Sequence, residues 1–126
     1  MKGICAAIKV NNLEDSLKFY CNGLGYTEYK RLTPNDFILL VFLKDSEGGL
    51  LELIYNKNQP EKIGNPIAGN VSIVLGVDNL KTTLETLNSM GYTPEHPIMK
   101  LPSGEQIAFI KDPDAVEVEL IENFAL

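Results

Sequence analysis

Two glutamates in matched surroundings are the residues of this chain best placed to do chemistry. Glu52 opens the run Glu52-Leu53-Ile54-Tyr55-Asn56, and 67 residues later Glu119 opens Glu119-Leu120-Ile121-Glu122-Asn123. A pair of carboxylates can hold a divalent cation, exchange a proton, or anchor a cationic or hydroxylated ligand. Each glutamate lies between apolar neighbours, Leu51 and Leu53 or Val118 and Leu120. With a side-chain period of two, each must point away from those neighbours. A strand glutamate ordinarily faces water. Here it survives at one register in both copies while its surroundings drift, Leu50 against Glu117 and Tyr55 against Glu122. That persistence favours a polar cavity shared by the two. The same offset sets Cys5 against Ser72, so the expected constellation is two carboxylates, a thiol and a hydroxyl.

The offset recurs along the chain. Val10 meets Val77, Asn12 meets Asn79, Leu13 meets Leu80, and Phe42-Leu43-Lys44-Asp45 meets Phe109-Ile110-Lys111-Asp112. Two copies at this period mark an internal duplication into half-domains, not a solenoid. Each half must therefore supply the elements that position its glutamate. In the first, residues 4–10 alternate as a strand, and Asn11 or Asn12 can cap a helix. Leu13, Leu17, Tyr20, Cys21 and Leu24 then fall at helical spacing, with Gly23 and Gly25 as the stop. Strands follow over 26–32, 37–43 and 50–56. The second half repeats this order: a strand over 71–77, a helix capped by Asp78 or Asn79 and closed by Gly91, then strands over 92–99, 106–111 and 116–122. Pro94 and Pro97 make the first of these last three an edge or bulged strand. The reading is a single α+β domain over 1–126: module one over 1–57, a Pro/Gly-rich linker over 58–69, and module two over 70–126. The two βαβββ modules are expected to form a curved, barrel-like mixed sheet whose concave face meets a ligand.

Composition removes several classes of partner. The 126 residues carry a net charge of −6, which repels nucleic-acid phosphates and anionic membranes alike. No apolar run approaches the roughly 20 residues of a membrane span, and no secretory signal is expected at the start. Cys5 and Cys21 could form one disulfide, but nothing else points to an oxidising compartment, so reduced thiols in the cytoplasm are expected. Phosphate loops, HExxH and CxxC pairs are absent from the sequence. The single histidine, His96, lies between prolines and reads as a stray imidazole, not a ligand.

Two βαβββ modules, each ending in a Glu-bearing strand, with Asp112-Pro113-Asp114 before Val118-Glu119-Leu120, resemble the vicinal oxygen chelate superfamily. That superfamily holds glyoxalase I (lactoylglutathione lyase), bleomycin-resistance proteins, fosfomycin-resistance enzymes and extradiol dioxygenases. The resemblance spans essentially the whole chain and is strongest to bacterial glyoxalase I, although the family usually has Gly where this chain has Ala115. It implies a divalent metal held at Cys5, Glu52, Ser72 and Glu119, where the family uses His or Gln, Glu, His and Glu. Both glutamates are kept and both nitrogen-ligand positions are lost. A serine hydroxyl is a poor ligand, and a thiolate with two carboxylates would hold Zn²⁺ or Ni²⁺ weakly. Lys9 and Asn56 fall where the family binds the glutathione carboxylate, and Ser72 is a further substrate contact.

The resemblance also implies a homodimer. Two functions follow from it: a small-molecule-binding protein with no cofactor at the usual metal site, or a divergent lyase with Glu119 as its catalytic base. A thiol-based role for Cys5 ranks last, because nearby carboxylates should raise its pKa.

Overall fold

A computed structural model describes residues 5–58 and 72–123. Ile4, Val71 and the expected linker beyond Asn58 lie outside the described residues. The chain divides into two compact units, Met1–Gly64 and Asn65–Leu126.

In the first unit, β1 (Ala6–Val10) runs into a helical segment, followed by β2 (Thr27–Leu32), β3 (Ile38–Lys44) and β4 (Leu50–Asn56). The sheet order is β1-β4-β3-β2. β1 pairs β4 in parallel, and the remaining pairs are antiparallel. In the second unit, β5 (Ser72–Val77) and a helix precede β6 (Met99–Lys100), β7 (Gln106–Lys111) and β8 (Glu117–Glu122). The order β5-β8-β7-β6 and the parallel β5–β8 pair repeat the first unit. The α+β class and the βαβββ order therefore hold in both halves.

The helix starts are copies at hydrogen-bond detail. Asn12 Oδ1 accepts from the Asp15 N–H at 3.0 Å, and Asn79 Oδ1 accepts from the Thr82 N–H at 2.9 Å. Both caps have extended backbone, as a side-chain N-cap requires. The helices then diverge. In the second unit, α2 (Leu80–Ser89) is regular and buries Leu80 and Leu87. In the first, α1 (Leu13–Leu17) passes into a π-helical turn, Lys18–Gly23.

The wider turn absorbs one additional residue. Tyr20 and Leu87 correspond at the 67-residue offset, but the stop glycines Gly25 and Gly91 correspond at 66, both at positive φ. The closing bond shows the same step: Tyr26 N–H donates to the Tyr20 carbonyl, whereas Tyr92 N–H donates to the Leu87 carbonyl one residue nearer. Widening also lets the adjacent Phe19 and Tyr20 both be buried, with their rings edge to face at 4.9 Å. The expected helix exists, but its second part is not α.

The second strand expected in the second unit, over 92–99, is nearly absent. Only Met99–Lys100 pairs, with Ile107 and Gln106. Pro94 and Pro97 have no N–H to give the ladder, so the chain approaches β7 through a single bond from Glu95 N–H to the Phe109 carbonyl at 3.2 Å.

Each sheet buries a core face, and on the second sheet Ile107 and Ile121 of the opposite face are buried too. In the first unit Val41, Leu43, Leu51 and Leu53 lie on the core face; in the second, Ile110, Val118 and Leu120 do. Among the described residues, no helix is long and apolar enough to cross a membrane.

Candidate functional site

Alternation fixes where the glutamates go. Leu51 and Leu53 are buried on the core face, so Glu52 projects from the other face, where it is half-buried. Val118 and Leu120 impose the same on Glu119. Register then builds a row around each. Across the first sheet Ala7, Glu52 and Phe42 lie side by side; across the second, Val74, Glu119 and Phe109 do. Each glutamate thus sits between an aromatic ring and a small or branched aliphatic side chain. The middle of the row ahead is aliphatic in both units, with Ile54 opposite Leu40 and Ile121 opposite Ile107. Phe42 and Phe109 were visible in the repeat as matched letters, but their place beside the glutamates required the strand register.

Lys9 lies opposite Ile54 and so shares the Glu52 face. Asn56, two residues beyond Ile54, lies on that face as well, and its Oδ1 accepts from the Asn58 N–H at 2.9 Å. Cys5 precedes β1 by one residue and is exposed. Burial pushes its thiol pKa upward, and the Glu52 charge adds to this, partly offset by a hydrogen bond from the Glu52 backbone. Cys5 and Glu52 are therefore close neighbours. The thiol donates to the Ala6 carbonyl at 3.4 Å. Cys21 is also a free thiol, so the two cysteines are not joined. In the second unit Ser72 shares the Glu119 face but stands one row back, opposite Glu117. His96 is exposed in the segment before β6.

The donor sets fit a transition metal poorly. One unit offers a carboxylate and a thiol whose proton is held more firmly than usual; the other offers a carboxylate and a neutral hydroxyl. Neither includes an imidazole, and no three His, Cys, Asp or Glu side chains gather into a metal-holding group among the described residues.

The Asp-Pro-Asp motif proves to be a turn present twice. Asp112 Oδ1 accepts from the N–H groups of Asp114 and Val116 at 2.8 and 2.9 Å. Asp45 Oδ1 accepts from Glu47 and Gly49, both at 2.8 Å. Each aspartate also donates its own N–H across the turn, to the Val116 or Gly49 carbonyl. These turns set the entry of the Glu-bearing strands β4 and β8.

Comparison with known proteins agrees with this architecture. The family model described as Glyoxalase/Bleomycin resistance protein/Dioxygenase superfamily matches residues 5–120. A probable lactoylglutathione lyase of Synechocystis is 31% identical, over 91% of this chain and 90% of its own length. One from Vibrio cholerae is 29% identical, over 92% and 86%. Among solved structures, the trypanothione-dependent glyoxalase I of Leishmania major matches with a TM-score of 0.73 at 29% identity, covering 94% of this chain and 84% of its own. A glyoxalase family protein from Bacillus cereus reaches a TM-score of 0.83 at 13% identity, a likeness of fold alone. The duplicated βαβββ units, the glutamate at one register in each, and a family match over nearly the whole length lead to one conclusion: this chain belongs to the glyoxalase/bleomycin resistance protein/dioxygenase superfamily.

Proposed function

We propose that this protein binds a small molecule on its Glu-bearing sheet faces, without the metal site usual in its family. The observation that carries this reading is the repeated row, Phe42–Glu52–Ala7 and Phe109–Glu119–Val74, at identical register on the half-buried face of each sheet. A carboxylate set among apolar groups without an imidazole suits a hydroxylated or cationic group of an organic ligand better than a divalent ion. Titration with Ni²⁺, Zn²⁺ and Co²⁺ tests the metal part. No stoichiometric submicromolar binding is expected, and such binding would overturn it. A ¹⁵N NMR screen of small organic molecules tests the rest. Ligand-induced shifts should gather at Ala7, Phe42 and Glu52 and at their counterparts Val74, Phe109 and Glu119. Shifts confined to the helices would place the ligand elsewhere.

The relatives named lactoylglutathione lyase favour a second reading, a divergent lyase acting on a thiol hemithioacetal. In it Glu119 takes the proton from C1 and returns it to C2, a net isomerisation, while Lys9 and Asn56 hold a substrate carboxylate. Lactoylthiol formation from methylglyoxal and glutathione, with each metal supplied in turn, decides it; no product under any metal ends it. Either reading takes the protein as a cytoplasmic homodimer with reduced thiols, and light scattering at micromolar concentration checks the dimer.

A further inference from the structure

The first sheet contains a register shift that the second lacks. Glu28 stands opposite Leu43 and Lys30 opposite Phe42, leaving Tyr29 as an additional residue in β2. Without it, strict alternation would put Lys30 opposite Val41, which is completely buried on the core face. With it, Lys30 joins the row of Phe42, Glu52 and Ala7. Bulges re-aim side chains in this way. The Lys30 ammonium lies over the Phe42 ring, 5.7 Å from its centroid. Among the described residues neither Lys30 nor Lys9 forms an ion pair. The corresponding face of the second sheet is neutralised differently, because Lys111 is paired with Glu95 at 3.4 Å.

The Glu52 face therefore carries three ammoniums without an ion pair among the described residues: Lys9 on β1 at one edge, Lys30 on β2 at the other, and Lys44 on β3 beside Lys30, one row back and over the Tyr29 ring. Lys30 and Lys9 lie on strands three spacings apart, roughly 14 Å across the sheet, and one row, roughly 7 Å, apart along it. Between them lie Ile54, Leu40 and Phe42, with Glu52 as the lone carboxylate. A negative charge at the middle of a ligand would meet Glu52, whereas one at each end would meet a lysine.

We propose that the bulge at Tyr29 makes Lys30 a specificity residue, and that the ligand is an elongated small molecule with an anionic group at each end and an uncharged middle. This rests on the reading that the Glu52 face is the binding surface. Lys9 receives one end and Lys30 the other, and the middle crosses Phe42 and Ile54.

Calorimetric titration of the intact protein with succinate, suberate and sebacate, and with octanoate and decanoate as matched monocarboxylates, tests the idea. Sebacate should bind about tenfold tighter than decanoate, one charge-assisted contact's worth, and succinate, too short to span, should gain nothing. Lys30→Gln should erase the sebacate advantage, Lys30→Arg should restore most of it, and Lys81→Gln, an equal loss of charge on α2, should leave it intact. Glu52→Gln should tighten sebacate a few-fold. If Lys30→Gln behaves like Lys81→Gln while Glu52→Gln still alters binding, the role of Lys30 falls and the binding face stands. If Glu52→Gln, Lys9→Gln and Lys30→Gln all leave diacid binding unchanged, the face itself is wrong and the proposed function falls with it. If the wild-type protein binds no diacid, the ligand class is overturned, and the NMR screen still decides the face.

Discussion

The two units began as copies, and what they kept differs in kind from what they changed. Both keep an asparagine cap, an aspartate-centred turn, and a glutamate between two core residues. Caps and turns satisfy backbone N–H groups that would otherwise lack partners, so substitutions there carry an immediate cost. The changes lie at sheet edges and in the second part of the helix. β2 is six residues long and bulged, while β6 has two residues. One helix is regular and the other widens into a π turn. Edges have water as an alternative partner, so they tolerate drift. Even a conserved job is done with different reinforcements: Glu122 accepts from the Leu80 N–H at 2.9 Å in the second unit, where the first has Tyr55.

The aspartate turns give the strongest way to break this comparison. Asp112 is 4% exposed and Asp45 is half-exposed. Asp112→Ala leaves one buried and one part-buried N–H group without their acceptor and should cost about 2–3 kcal/mol, whereas Asp45→Ala should cost only about 1 kcal/mol. Urea denaturation of both variants checks the difference, and equal losses would mean that burial does not distinguish the turns.

Tyr26 supplies a pH test confined to the first unit. Burial, with the nearby Asp45 charge, pushes its pKa up to about 12 from 10.0. The folded state then holds the phenolic proton more tightly than the unfolded state does. This contribution is complete below pH 10 and is lost as pH rises through about 12, at most roughly 2 kcal/mol. Tyr26→Phe should flatten the fall in melting temperature between those pH values; an unchanged fall would assign it to another group.

A smaller effect compares the turn residues at positive φ, Gly48 at 89° and Ala115 at 67°. An L-side chain is strained in this region. Ala115→Gly should therefore stabilise by about 0.5–1 kcal/mol despite the added freedom of the unfolded chain, and Gly48→Ala should destabilise by a similar amount. Opposite shifts in melting temperature are the expected pair of results.

The smallest effect is kinetic. Because the Glu52 charge adds to the rise in the Cys5 pKa, Glu52→Gln should increase the Cys5 thiolate fraction. Carbamidomethylation of Cys5 by iodoacetamide at pH 7.5, followed by peptide mass, should accelerate about two- to threefold. An unchanged rate would separate the two side chains and weaken the geometry of the first half-site.

Much of the site was legible from residue order. The bounds of β4 and β7, the helix caps to within two candidates each (Asn12 and Asn79 being the ones used), and the outward projection of both glutamates follow from alternation and local hydrogen bonding. Lys9 and Asn56 were placed by resemblance, and the register sets both on the Glu52 face. Lys30 could not be found this way. Its alternation within β2 assigns it to the core side, and only pairing with β3 reveals the additional residue at Tyr29. The strand expected over 92–99 failed for a related reason: its apolar letters suit an edge, but its prolines withhold the N–H groups that pairing needs.

By itself, the sequence determined which atoms within each half would be satisfied locally, and thereby which face each glutamate would occupy. Tertiary structure decided how an additional residue is accommodated, as a π turn around Phe19 and Tyr20 and as a bulge at Tyr29. The reason is physical. A cap or a turn closes within a few residues and can be read from them, but an insertion is resolved by whatever packs against it, and that partner lies elsewhere in the chain.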